Sequence, residues 1–397
     1  MTSPARMSPS ELRASLSLAS IFGLRMLGMF IILPVFTLWT QGRPGWNLEL
    51  AGIAMGVYGL TQALLQIPMG RLSDRFGRKP LIYAGLAAMA AGSFICASVE
   101  APAGMIAGRV VQGLGAISGV AIAFAADLTR ETQRSKAMAI IGSTIGLAFA
   151  VSFVSAPSLE QAFGLQGIFA ITGSLAIAAM GVARWVVPDA PLVPRSPSAP
   201  AFSEVLRMPE LLRLDFGIFT LHSVLMAMFV VTPVALVKAG LPARHHWWIY
   251  LGAMAAGLVL MMPALASRTA RRERPILLGA IAVLAAGAGL LAAGLESVAA
   301  IATALVIFFA GFNVLEAKLP ALVSRAAPRD ARGAATGVYS SVQFLGTFVG
   351  SAAGGAIAQH FGFVAALGAC VALLLAWLGV AWNMGEFVPA ASGVAGQ

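Results

Sequence analysis

The chain alternates between long apolar stretches and short polar breaks. Twelve stretches read as helices, at about 12–41, 49–70, 80–99, 103–129, 135–159, 165–187, 211–239, 245–266, 275–294, 297–323, 333–359 and 362–385. About 20 apolar residues let a helix cross the hydrocarbon core of a bilayer. Inside that core every backbone N–H and C=O must be satisfied within the segment, which a helix does. One break is different in kind. Pro188–Pro200 holds five prolines in thirteen residues, which forbids a helix and supplies nothing for a core. It divides the chain into a first six-helix bundle (1–187), a linker (188–210) and a second six-helix bundle (211–397). Within the linker, Ser203 is placed to cap a short interfacial helix to Arg207. The expected fold is an all-α membrane protein: twelve transmembrane helices in two pseudo-symmetric bundles.

Composition agrees. Hydrophobic residues make up 59% of the chain and charged residues 11%, with mean hydropathy +0.86; soluble domains sit nearer 45–50% apolar. The first dozen residues are polar and include Pro4 and Pro9, so no cleavable leader is expected. Cys96 and Cys370 both fall in apolar runs and read as packing residues. The net charge of +10 could suggest a nucleic-acid partner, but its distribution argues otherwise. With the N-terminus inside, the cytoplasmic segments hold 19 Lys and Arg, whereas the external loops hold only Arg43, Lys238 and Arg244. That is the positive-inside bias of a protein whose macromolecular partner is the lipid bilayer, with both termini cytoplasmic. No HExxH, His-x4-Asp pair or Cys/His cluster is present, so neither a metal, a cofactor nor an enzyme such as a lipid transferase is expected.

An internal repeat supports the two bundles. Ile21-Phe-Gly-Leu-Arg25 matches Ile218-Phe-Thr-Leu-His222, and Met29-Phe-Ile-Ile-Leu-Pro-Val35 matches Met228-Phe-Val-Val-Thr-Pro-Val234. Gly56-Val-Tyr-x-x-x-Gln62 is echoed by Gly337-Val-Tyr-x-x-x-Gln343. In such a scaffold a site is expected near the midplane, between the halves.

Ionisable groups inside a bilayer are costly and usually functional. Arg25 lies about eleven residues into the first span, roughly 16 Å deep at 1.5 Å per residue. His222 is its repeat mate. Arg25 cannot shed its proton, so it can bind an anion or hold a carboxylate but cannot carry a proton. Arg109 and Gln112 share a face of the fourth span. In the tenth span, Asn313 stands on the face of Glu316, the one acid deep in an apolar run; Asp127 and Asp215 are more terminal. Burial raises a carboxyl pKa and a nearby cation lowers it, so Glu316, His222 or both are the expected proton carriers. The alternative is a fixed ion pair of Glu316 with Arg25; Lys318 does not share its helix face. Tyr58, Gln62 and Gln66 line one face of the second span, and Tyr339 and Gln343 one face of the eleventh. Together with Arg25, Arg109, Gln112 and Asn313 they are the candidate substrate cavity. Among the many Met and Phe residues, some can line a pocket tolerant of varied apolar molecules.

Between the second and third spans runs Gly70-Arg-Leu-Ser-Asp-Arg-Phe-Gly-Arg-Lys-Pro80. Gly70 and Gly77 permit tight turns or close approach, and Asp74 stands among Arg71, Arg75, Arg78 and Lys79. Asp127 is positioned to pair with Arg78. Asp74 can then meet the unpaired N–H groups and positive dipole at the start of the eleventh span, near Gly333. That contact would latch the cytoplasmic side shut when the halves meet there.

The order Gly-x-Leu-x-Asp-Arg-x-Gly-Arg-Lys closely resembles the loop signature of the major facilitator superfamily. Arg109-Val-Val-Gln-Gly-Leu-Gly115 resembles the fourth-helix signature of its proton-coupled members. Gly142-Ser-Thr-Ile-Gly146 followed by Ala156-Pro157 departs from the antiporter signature, whose last glycine is replaced. With Leu24–Phe30, Pro34, Asp127-Leu-Thr-Arg-Glu131 and Gly337–Gly346, the chain resembles the YajR-type drug:proton antiporters. Those relatives can carry a soluble domain after the last span, where this chain has about a dozen residues. The resemblance implies proton-driven export of hydrophobic or amphipathic compounds by alternating access, by a monomer in a bacterial inner membrane. The alternative is proton symport of a polar or anionic metabolite, which two cavity arginines would suit.

Overall fold

The computed structural model describes residues 6–189, 205–266, 273–328 and 331–384, and among them every regular element is helical. Most of the linker, with Ser203, lies outside the described residues.

Helix α1 (Pro9–Phe30) opens on a capping box. The Ser8 hydroxyl accepts from the Glu11 N–H (3.2 Å), and the Glu11 carboxylate accepts from the Ser8 N–H (2.8 Å). The expected single span 12–41 is broken. Residues 31–35 form turns, with bonds from Leu33 N–H to Phe30 O and Val35 N–H to Ile32 O, before α2 (Phe36–Thr40). Pro34 has no N–H for the ladder, which accounts for the break. Helix α3 (Leu48–Phe76) is capped by Asn47 and ends at Gly77, whose φ of 93° few other residues adopt. Helix α4 (Arg78–Ser98) follows at once.

The fourth span is also discontinuous, as α5 (Pro102–Gly113) and α6 (Ser118–Asp127). The chain between them is pressed against α4: a Cβ on Gly115 would stand 2.6 Å from the Gly85 carbonyl oxygen. The fifth and sixth spans form one long element, α7 (Arg134–Trp185), turned at Gly164, which has φ 66° and ψ 177°. The second half comprises α8 (Pro209–Lys238), α9 (His246–Ala266), α10 (Glu273–Ala293), α11 (Val298–Ala326), α12 (Arg332–Phe361) and α13 (Phe363–Trp382). Among the described residues, ten helical stretches are long and apolar enough to cross a membrane, and one of them, Glu131–Trp185, has 55 residues, enough for two crossings.

The broadest interface joins the halves, α3 against α12. Small residues make it close. A Cβ on Gly52 would lie 2.1 Å from the Ser351 carbonyl oxygen, and one on Gly355 2.4 Å from that of Leu48. At the same end the Leu48 N–H donates to the Gln359 side chain (3.0 Å), and His360 meets Glu49 at 3.2 Å. At the other end of these helices, a Cβ on Gly70 or Gly333 would meet nothing within 4 Å. The halves are thus joined at a seam end, around Leu48 and His360. They diverge toward the turn end, which carries Gly77.

Candidate functional site

Two polar clusters sit at matching places in the two halves. In the first, the Arg25 guanidinium donates to the Ser118 hydroxyl (2.5 Å), to Tyr58 Oη (3.1 Å) and to Gln62 Oε1 (2.6 Å). Gln62 in turn donates to the Gly113 carbonyl (3.0 Å). In the second, Gln343 Nε2 lies 2.8 Å from His222 Nε2, and His222 lies 3.9 Å from Glu316. The repeat mates Arg25 and His222 are therefore each held by the repeat mates Gln62 and Gln343.

The clusters differ in what they leave open. Arg25, Tyr58, Gln62 and Gln66 are all buried inside the first half, so they do not line an open cavity as expected from sequence. The break between α5 and α6 explains this, because it supplies Ser118 and the Gly113 carbonyl as partners that a continuous helix would withhold. Ser118 is not among the residues the sequence singles out; its one signal there is the run of small residues around it, Gly113, Gly115 and Gly119. Arg109 and Gln112 also turn inward. Arg109 donates to the carbonyls of Ala54 (3.2 Å) and Met55 (3.1 Å) and to Gln112, and its guanidinium lies 4.8 Å from the Tyr58 ring centre. Gln112 donates to Ser93 (2.8 Å). These two tie α3, α4 and α5 together rather than facing the space between the halves. Among the described residues, neither arginine has a carboxylate ion-pair partner.

In the second half Glu316 is the accessible member, with 38% of its side chain exposed against 13% for His222. Its neighbour is His222, not Arg25. Asn313 Nδ2 and the Tyr339 hydroxyl are buried without a hydrogen-bond partner.

A chain of aromatic rings leads to this cluster and crosses from one half to the other. Phe153 on α7 stacks on Phe149 (4.3 Å) and meets Phe229 (5.0 Å) and Tyr250 (5.2 Å) of the second half. Phe149 meets Phe309 (6.2 Å), Phe309 meets Phe312 (6.1 Å), and Phe312 meets the His222 ring (6.1 Å). A cavity of about 360 Å³ at the seam end, lined by Trp39, Pro157, Gln161 and Arg244 among others, includes none of the residues of either polar cluster.

At the turn end Arg78 bridges Asp74 (2.7 Å) and Asp127 (2.8 Å) and donates to the Ser73 hydroxyl (2.6 Å). Arg75 lies along Phe76. Lys79 pairs with Asp189 at the start of the linker (2.6 Å), which holds that carboxyl below its ordinary range. Arg130 clasps Glu11, ahead of the first apolar run, through two nitrogens (2.8 and 2.9 Å) and its own backbone N–H (2.9 Å). Those bonds hold the Glu11 carboxyl far below the usual range.

Two helical halves meeting along glycine-lined helices, with polar clusters at matching depths, are the build of a membrane transporter. The Major Facilitator Superfamily profile matches residues 18–351. The inner membrane transport protein YajR of Escherichia coli K12 is 40% identical over 386 residues, covering 96% of this chain and 85% of that protein. The multidrug resistance protein MdtH of Aeromonas hydrophila is 25% identical over 341 residues, 84% of this chain and 85% of that one. Among solved structures, a bacterial homologue of the human lysosomal transporter Spinster aligns with TM-score 0.73 at 14% identity, over 95% of this chain and 97% of that one. The human organic anion transporter MFSD10 aligns with TM-score 0.72 at 18% identity, over 94% and 100%. These two show the fold alone. The chain belongs to the major facilitator superfamily: it is a multi-pass membrane transporter and not an enzyme.

Proposed function

We propose that this transporter exports hydrophobic or amphipathic compounds in exchange for protons, by alternating access between the halves. It works as a monomer in a bacterial inner membrane, with both termini in the cytoplasm. The observation that carries the reading is the aromatic chain from Tyr250 through Phe153, Phe149, Phe309 and Phe312 to the His222–Glu316 pair. It sets an apolar, polarisable surface against a titratable pair at the boundary of the halves. A ligand with an apolar body and a cationic or polar head suits both parts. The name of the relative MdtH points the same way. Glu316, with His222 beside it, is the proton carrier. With the basic turn end cytoplasmic, the divergence of α3 and α12 there is the inward-open state. Asp74 then rests on Arg78, and on closure it moves to the start of α12 while Arg78 stays on Asp127.

A second reading rests on one observation. The buried cations Arg25 and Arg109 have only neutral hydrogen-bond partners among the described residues, so uptake of an anionic metabolite by proton symport would supply the missing negative charge. Transport into proteoliposomes, with pH and voltage gradients imposed separately, separates the two. Accumulation of cationic dyes driven by the pH gradient supports export. Accumulation of organic acids moving with the proton, and no dye transport, would replace it with symport.

A further inference from the structure

Asp215 has no part in the roles above, yet it is only 6% exposed on α8, two turns before His222 on the same face. Among the described residues its carboxylate has no hydrogen-bond or ion-pair partner. Helices α8 and α12 run parallel and in close register. A Cβ on Gly346 would stand 2.4 Å from the Phe219 carbonyl oxygen, and one on Gly350 2.0 Å from that of Ser223. One turn further toward the turn end, the same register sets Asp215 level with Val342, between Tyr339 and Gln343. The Tyr339 hydroxyl is buried and unpartnered, and it lies within electrostatic reach of both Glu316 and Asp215. Its repeat mate Tyr58 is engaged by Arg25; the shorter His222 leaves Tyr339 open.

The surroundings of Asp215 hold few competitors. From α12 the register brings Tyr339 nearest to it, whereas Glu316 of α11 stands against His222, two turns away. Helix α13 sets Trp377 against Gly217 and has no acid, base or histidine, its one titratable side chain being the buried Cys370. On α8 itself, Glu210 and Arg213 pair with each other at 2.9 Å. Arg325 of α11 is engaged by Glu273, and Arg332 stands at the start of α12, nearer the turn end.

We propose that Asp215 is a proton-relay residue, linking Glu316 to solvent at the turn end through the Tyr339 hydroxyl, along a path inside the second half. This rests on Glu316 being the proton carrier. Protonated Glu316 gives its proton to the phenolic oxygen of Tyr339 as the phenol's own proton passes to the Asp215 carboxylate, with water bridging where the groups do not touch. Glu316 is left ionised, Tyr339 neutral and Asp215 protonated. Asp215 then loses the proton to water at the turn end. Glu316 is partly exposed, so a substrate bound against it would cover the direct exit and leave the relay open.

The test is proton release from the full-length protein in liposomes after a pH jump, followed by a pH-indicating dye in stopped flow, with ethidium present as the amphipathic cation. Asp215→Asn and Tyr339→Phe should each slow the release roughly tenfold. The double variant should be no slower than the slower single one, and Asp215→Glu should restore the rate, which a purely structural role would not predict. Release at the wild-type rate in either single variant overturns the relay. A release phase that survives Glu316→Gln overturns the underlying carrier assignment, a different failure seen in a different variant.

Discussion

Phe153 is the ring on which the seam turns, and replacing it with leucine should unbalance the two conformations. The side chain is buried on α7 and touches three rings. Its stack on Phe149 belongs to the same helix, so that loss is common to both conformations and cancels. The contacts with Phe229 at 5.0 Å and Tyr250 at 5.2 Å cross to the second half and exist only while the seam end is closed. Aromatic pairs contribute about 0.5–1.5 kcal/mol each beyond the area they bury, so two pairs bias the equilibrium by about 1–3 kcal/mol. Leucine keeps much of the apolar volume, which limits the damage to the fold itself. The shift should therefore be roughly 5–150-fold toward molecules open at the seam end. Spin labels at Gln161 and Arg244, which line the seam-end cavity from opposite halves, report it by pulsed electron resonance. Phe153→Leu should add a population at longer distance. A distribution identical to that of the parent would refute the idea that these rings hold the seam.

Other consequences are as direct. Gly350→Ala places a methyl group 2.0 Å from the Ser223 backbone oxygen, inside one half, so it should lower the melting temperature in detergent. Gly52→Ala makes a similar clash across the seam, and it should shift the label distances more than the melting temperature; equal melting losses would contradict that division. Because the folded state depresses the Glu11 carboxyl through Arg130, its stabilisation is present above the unfolded pKa of about 4.3 and falls away as pH drops below it. Glu11→Gln should then cost thermal stability at neutral pH and progressively less in acid, and a loss independent of pH would count against the clasp. Asp74→Asn should enlarge the inward-open population and slow turnover without unfolding the protein. Unchanged distances between the turn-end tips of α3 and α12, with normal transport, would reduce the loop to a topology anchor.

Much of the architecture was legible because two periodicities carried it: apolar run length gave the spans, and the internal repeat paired Arg25 with His222 and Gln62 with Gln343. The breaks were not. Pro34 sits well inside an apolar run, and the interruption at residues 114–117 depends on Gly85 of α4, a contact no local pattern announces. Arg109 pointed the wrong way for a similar reason, since its partners are backbone carbonyls of α3 and a backbone oxygen has no signature in sequence. The aromatic chain was hidden differently. In a run that is apolar on every face, a phenylalanine bound for lipid and one bound for the seam look alike, and Phe149 meets Phe309 only after the halves fold together. Asp215 stands near the end of its apolar run, where sequence marks it as terminal, yet it is buried on a helix that α12 approaches closely at Gly346 and Gly350.

The central claim is that a proton on Glu316 drives the transport cycle. It is tested most directly in proteoliposomes by following dye accumulation and internal pH together under an imposed pH gradient, for the parent and for Glu316→Gln. The account predicts that the parent accumulates dye against its gradient with matching proton flux. The variant should exchange dye across the membrane but neither accumulate it nor move protons. Accumulation by Glu316→Gln at the parent rate, with proton flux intact, would contradict the account and place the coupling elsewhere in the molecule.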